Sequence, residues 1–120
     1  MKSKYISFYV DQESILKLHT YTKLGQFLLS VFEFEQQEYK SLEITHSSFM
    51  QRVLQKITTR LWKLKTEILF SFIKKDFDEG EMIERIEQYE KLVELKGSLE
   101  FLFELLERYE KFYIQYVTDR

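Results

Sequence analysis

The stretch LVELKGSLEFLFELLERYEKFYIQYV, residues 92–117, decides how the rest of the chain is read. Leu92, Leu99, Leu106 and Tyr113 stand seven apart. Leu95, Leu102, Tyr109 and Tyr116 form a second seven-spaced row, three residues further on. Together the rows describe one apolar helical seam sustained over several heptads. Phe101, Phe103, Leu105, Phe112, Ile114 and Val117 lie off that seam. A helix apolar over so much of its circumference is expected to be buried on more than one side. The pattern therefore predicts a central helix against which the others pack.

Composition points the same way. A chain of 120 residues suits one domain. With 44% hydrophobic and 17% aromatic residues it has material for a core, which excludes disorder. Proline and asparagine are absent and glycine occurs three times. Sandwiches and barrels need many turns, and turns are built mostly from those residues. Cysteine is absent, which excludes disulfides, thiolate nucleophiles and zinc–cysteine sites and fits a reducing cytoplasm. Tyr5 to Val10 is too short for the apolar region of a signal peptide, and the run from Ile68 to Ile73 falls far short of a membrane span. A cytoplasmic protein without a membrane segment is expected.

The net charge of −2 hides an uneven distribution. From Gln51 to Phe77 seven basic residues face two acidic ones, a net of +5; from Asp78 to Glu110 eleven acids face four bases, a net of −7. A basic helix followed by an acidic one should pack antiparallel, with the charges flanking the apolar seam.

In chain order, Tyr5-Ile6-Ser7-Phe8-Tyr9-Val10 leans to strand by propensity. No other segment offers it a partner, so an arm on the helices is expected, extended or as an early helical turn. Asp11 suits an N-cap, with Val10 and Ile15 as a hydrophobic staple. Ile15, Leu18, Tyr21, Leu24, Leu28 and Val31 keep helical spacing across Gly25, read as a glycine tolerated at a close helix contact. Residues 41–48 read as a polar connection in which Thr45, Ser47 or Ser48 could cap the next helix. That helix shows Met50, Leu54, Ile57, Leu61, Leu64, Ile68 and Phe72 at spacings of three and four. Asp78 followed by Glu81 has the spacing of a capping box, and the heptad phase runs through Gly97 without a break.

Chemical signals are few. Arg52, Lys56, Arg60 and Lys63 fall on one helix face, either a surface for a phosphate backbone or a solvated face opposite the acidic helix. Glu43-Ile44-Thr45-His46 has the Glu-x-x-His spacing of di-metal bundles, but only one copy exists and His19 has no matching glutamate. No Gly-x-Ser-x-Gly, P-loop or Gly-x-Gly-x-x-Gly is present. No catalytic residue, metal site or cofactor is expected. Tyr109, Phe112, Tyr113 and Tyr116 are the candidate protein interface, because tyrosine suits surfaces apolar at one end and wet at the other. Glutamates rather than lysines on that helix argue against a membrane surface.

The expected fold is all-α: an antiparallel bundle of three long helices, four if the last breaks near Gly97, forming one domain over residues 1–120. Its parts are an N-terminal arm over residues 1–10 and helices over about 12–40, 49–77 and 79–117. The expected function is non-catalytic binding of another protein through an aromatic helical surface, as in an adaptor, inhibitor, immunity-type or chaperone-like protein. Homodimerisation through the same aromatics is a variant. A nucleic-acid-associated regulator using Arg52, Lys56, Arg60 and Lys63 is the alternative.

Overall fold

Residues Lys4 to Val10 do form a strand, and it is not alone. The computed structural model describes residues 4–34, 41–74 and 78–118. Its elements are strands β1 (Lys4–Val10) and β2 (Glu13–His19), helix α1 (Lys23–Phe32), strand β3 (Ser41–Thr45), helices α2 (His46–Ser71) and α3 (Glu79–Leu106), and strand β4 (Lys111–Thr118). The four strands make one antiparallel sheet in the order β2-β1-β4-β3. The fold is therefore α+β, which overturns the all-α bundle. The expected helical positions 35–40 and 75–77, and arm residues 1–3, lie outside the described residues.

Each correction has a local cause. Asp11 is not a helix cap. With Gln12 it forms the two-residue turn between β1 and β2, and both residues have positive φ (51° and 70°), the φ pattern of a type I′ hairpin. That turn normally announces itself by Asn-Gly or Asp-Gly, and Asp-Gln does not. Pairing slips between Phe8 and Tyr9, so Ile15 is an extra residue in β2. The bulge lets Ile15 and Leu18 keep a three-residue spacing that imitates a helix.

The helix proper starts at Thr22, whose hydroxyl accepts from the Gly25 amide at 3.0 Å. Gly25 does sit at a close contact, though with the end of β2 and not with another helix: a Cβ there would run into the backbone of His19 and Thr20. The expected connection at 41–48 is instead β3, which runs directly into α2 through the Thr45 cap. The Thr45 hydroxyl accepts from Ser48 N at 3.1 Å.

The C-terminal stretch changes element part-way. Helix α3 passes through Gly97 unbroken, as the heptad phase required, but ends at Leu106. Residues 111–118 are β4, in the middle of the sheet between β1 and β3. Seven is close to two helical turns but is an odd step along a strand. Tyr113 and Tyr116 would share a helix face; in β4 they lie on opposite faces, Tyr116 buried and Tyr113 39% exposed.

The core lies between one face of the sheet and the helices. Ile6 and Phe8 of β1 and Phe112, Ile114 and Tyr116 of β4 point into it at period two. Phe49, in the first turn of α2, is its hub. Its ring stacks on Phe32 at 5.7 Å and meets Phe8, Phe103 and Phe112 edge-on at 5.7, 5.8 and 5.4 Å. The His46 Nε2 is 2.8 Å from the Phe103 carbonyl, and His46 N donates to Glu110 O at 2.8 Å, pinning the start of α2 to the α3–β4 junction.

Helices α2 and α3 form an antiparallel hairpin whose near half joins this core and whose far half leaves it. Beyond Ile57 in α2 and before Leu99 in α3, the buried residues are Ser71 and Met82 alone. The molecule is accordingly elongated, 58 × 34 × 22 Å. Arg85 clamps the far half. Its guanidinium donates to Ser71 Oγ at 3.0 Å and lies 3.8 Å from the carboxylates of both Glu67 and Glu81. The cross-helix ion pair thus joins a base of the acidic helix to an acid of the basic one. The two helices pack antiparallel as expected, but among the described residues no ion pair joins a base of α2 to an acid of α3.

Candidate functional site

The four aromatics expected to make an interface are split by the strand. Phe112 and Tyr116 belong to the core, and Tyr109 is half-buried in the α3–β4 connection. Only Tyr113 faces outward, on the sheet face away from the helices. There its ring stacks on Tyr9 at 5.3 Å, its hydroxyl donates to Glu43 Oε2 at 2.7 Å, and Lys111 Nζ sits 3.4 Å from Glu43 Oε1. The Tyr113 hydroxyl, and then Lys111, hold Glu43 below the usual carboxylate range; the same hydrogen bond raises the Tyr113 phenol. Tyr9 and Ser41 join hydroxyls at 2.9 Å, extending the cluster over β1, β3 and β4. This face is knitted to itself, and the two shifts carry Glu43 and Tyr113 away from neutral pH.

Glu43 and His46 do not act as a pair. Glu43 is on the outer sheet face, whereas His46 is turned to Phe103. Among the described residues no group of three or more His, Cys, Asp or Glu could hold a metal ion.

Arg52, Lys56, Arg60 and Lys63 do share one face of α2, but α1 is packed along it. The Arg52 guanidinium lies 4.7 Å over the Phe32 ring and Arg60 lies 4.9 Å over Phe27. Arg60 also donates to Ser30 Oγ at 3.1 Å. Two of the four cations therefore hold α1 in place. Lys56 and Lys63 remain exposed.

The surface that sequence reasoning missed is the outer side of α3. Ile83, Ile86, Val93, Gly97, Phe101 and Leu105 recur at steps of three, seven, four, four and four. At about 100° per residue they line one face. Their apolar side chains are 37% to 61% exposed. Leu92, Leu95, Leu99, Leu102 and Leu106 occupy the opposite face and pack inward. The helix is thus apolar on two sides and buried on one, against the expectation that Phe101 and Leu105 would be covered.

Glu87, Glu90, Glu94 and Glu104 fall on the same face, interleaved with the apolar residues and all exposed. No base falls on that face. At Gly97 an added Cβ would meet nothing within 4 Å, so nothing inside the molecule demands glycine there, and the stripe has a dent between Val93 and Phe101. The off-seam apolar residues were the sequence signal for this face. Of these, Phe103, Phe112 and Ile114 are core as expected, whereas Phe101 and Leu105 are surface.

Trp62 and Leu69 of α2, and Ile73 just beyond its end, are 57% to 76% exposed, so the far end of the hairpin carries apolar surface on both sides. Among the described residues no helix is long and apolar enough to cross a membrane. Comparison of the chain with known protein families, curated proteins and solved structures finds no match.

Proposed function

We propose that this protein is a non-catalytic binding module whose α3 outer face receives a basic amphipathic helix of a partner protein. The observation that carries the reading is the exposed row of Ile83, Ile86, Val93, Phe101 and Leu105, interleaved with glutamates. Exposed apolar anchors at helical spacing, interspersed with charge, are the form in which one helix offers itself to another. The glutamates select a basic partner and orient it. The dent at Gly97 lets a partner backbone come close. The reading keeps a cytoplasmic setting, which a cysteine-free chain suits.

A synthetic helical peptide with leucines at positions i, i+3, i+7 and i+11 and lysines on the flanks tests it by titration calorimetry. Saturable one-to-one binding is expected. Phe101→Ala should weaken it by about ten- to thirty-fold, in line with losing roughly 1.5–2 kcal/mol of buried aromatic contact, with the helical circular dichroism unchanged. Equal binding of a sequence-scrambled peptide, or no effect of Phe101→Ala, sinks the reading.

The alternative, a nucleic-acid-associated regulator using α2, has less support, because Arg52 and Arg60 are engaged on α1. It requires retention on DNA or RNA at low salt that weakens steeply as salt rises.

A further inference from the structure

Helices α1, α2 and α3 border an open cleft of about 380 Å³, within the size range of small-molecule sites. Its floor is apolar, made by Phe27 of α1, Leu64 of α2, and Leu92 and Leu95 of α3. Lys23, Arg60 and Lys91 stand around it, one from each helix. Gln26 and Gln88 complete the lining, and no carboxylate contributes to it.

That charge pattern is unexpected in this chain, where acids outnumber bases 20 to 18. Among the described residues the ion pairs are those of Arg85 with Glu67 and Glu81 and of Lys111 with Glu43, so none of the three cleft cations has an acidic partner. Glu87 stands four residues before Lys91, the favourable helical order, yet does not pair with it. Arg60 is held in place by the Phe27 ring and by Ser30 Oγ at 3.1 Å, which fixes its remaining N–H groups without neutralising them. Three like charges gathered over an apolar floor repel one another, and an anion placed among them relieves that repulsion.

We propose that this cleft binds a small amphiphilic anion, its apolar body on Phe27, Leu64, Leu92 and Leu95 and its carboxylate or phosphate head among Lys23, Arg60 and Lys91. Acyl carboxylates and alkyl phosphates share this head-and-tail chemistry. The cleft and the α3 outer stripe lie on different sides of α3, so the inference stands independently of the proposed partner.

Calorimetric titration with decanoate, decyl phosphate and decanol, each below its aggregation threshold, tests it. One-to-one saturable binding of decanoate, decyl phosphate or both is expected, and which of them binds identifies the head group. Decanol should bind at least ten-fold more weakly. The Lys23→Gln/Lys91→Gln double variant should lose at least ten-fold for the anions. Both lysines are exposed and without ion-pair partners, so this variant keeps its fold. Phe101→Ala, which acts on the other surface, should bind the anions unchanged. Absence of saturable binding by either anion, equal binding of decanol, or undiminished binding by the lysine variant overturns the proposal.

Discussion

Gly25 and Gly97 are both helical glycines, and the molecule asks opposite things of them. At Gly25 a side chain collides with the backbone of His19 and Thr20, where neither atom belongs to a flexible side chain that could yield. Gly25→Ala should therefore destabilise the fold by about 1–3 kcal/mol, the range for overpacking. At Gly97 there is open space, and alanine gains about 1 kcal/mol of helix propensity. Thermal melts of the two variants should move in opposite directions, and a fall in Tm for Gly97→Ala would mean the site is filled after all. If Gly97→Ala is more stable yet weakens the helical peptide, the dent serves binding.

Glu43 and Tyr113 make a second prediction at this scale. The Glu43 pKa is lowered by folding, so its contribution exists above the unfolded pKa and is lost as pH falls through the folded value. The Tyr113 pKa is raised, so its contribution exists below the unfolded pKa of about 10 and is lost as pH rises through the folded value. Phenolate absorbance should show one tyrosine titrating above the ordinary range, returning towards it in Glu43→Gln. An unchanged titration curve in that variant would remove the hydrogen bond as the cause.

Among the elements, only part of the local structure is legible in the sequence: the β1–β2 turn at Asp11-Gln12 reads as a helix cap, and α3 stops at Leu106 rather than near 117. The two long helices, the Asp78 cap whose carboxylate accepts from the amides of Gly80 and Glu81, and the passage through Gly97 all follow from contacts a few residues apart. The strands do not. β1 pairs with β4 across more than a hundred positions, Lys4 opposite Thr118, and no local pattern reports such a pairing. β4 is hidden further because Phe112, Ile114 and Tyr116 alternate while Tyr109, Tyr113 and Tyr116 keep heptad spacing, and both descriptions hold for one string of residues. The connection before it, Glu107 to Glu110, contains no glycine or proline to mark the change. The basic face of α2 was legible as a face, yet its use by α1 was not, because a cation over Phe27 or Phe32 depends on tertiary contact. The cleft was illegible for the same reason: its three cations come from three helices.

Over the whole molecule, stability is distributed unevenly. The sheet, α1 with Phe34, and the near halves of α2 and α3 hold nearly all the buried side chains, whereas the far half of the hairpin is tied by Arg85, Ser71 and Met82. Native-state hydrogen exchange should resolve two units. Amides from about Trp62 to Ser71 and from Glu79 to about Glu90 should open at well under the global unfolding energy. Those of β1, β4 and the first turns of α2 should exchange only with global unfolding. Uniform protection along both helices would mean that the far half is covered by another chain in solution.

The place of β4 also governs when the fold can be completed. The β1–β2 hairpin and α1 emerge early in synthesis, and β3 follows, but β1 and β3 do not touch: β4 is the strand between them. The sheet therefore cannot close until residues near 118 have cleared the ribosome. Until then one edge of β1 and one edge of β3 are exposed backbone ladders beside a half-formed core. The α2–α3 hairpin, whose contacts are nearer in sequence, can form meanwhile and hold β3 at its base. Insertion of one late strand is then the step that commits the chain, and a nascent chain stalled short of β4 is the species most exposed to pairing with a neighbour.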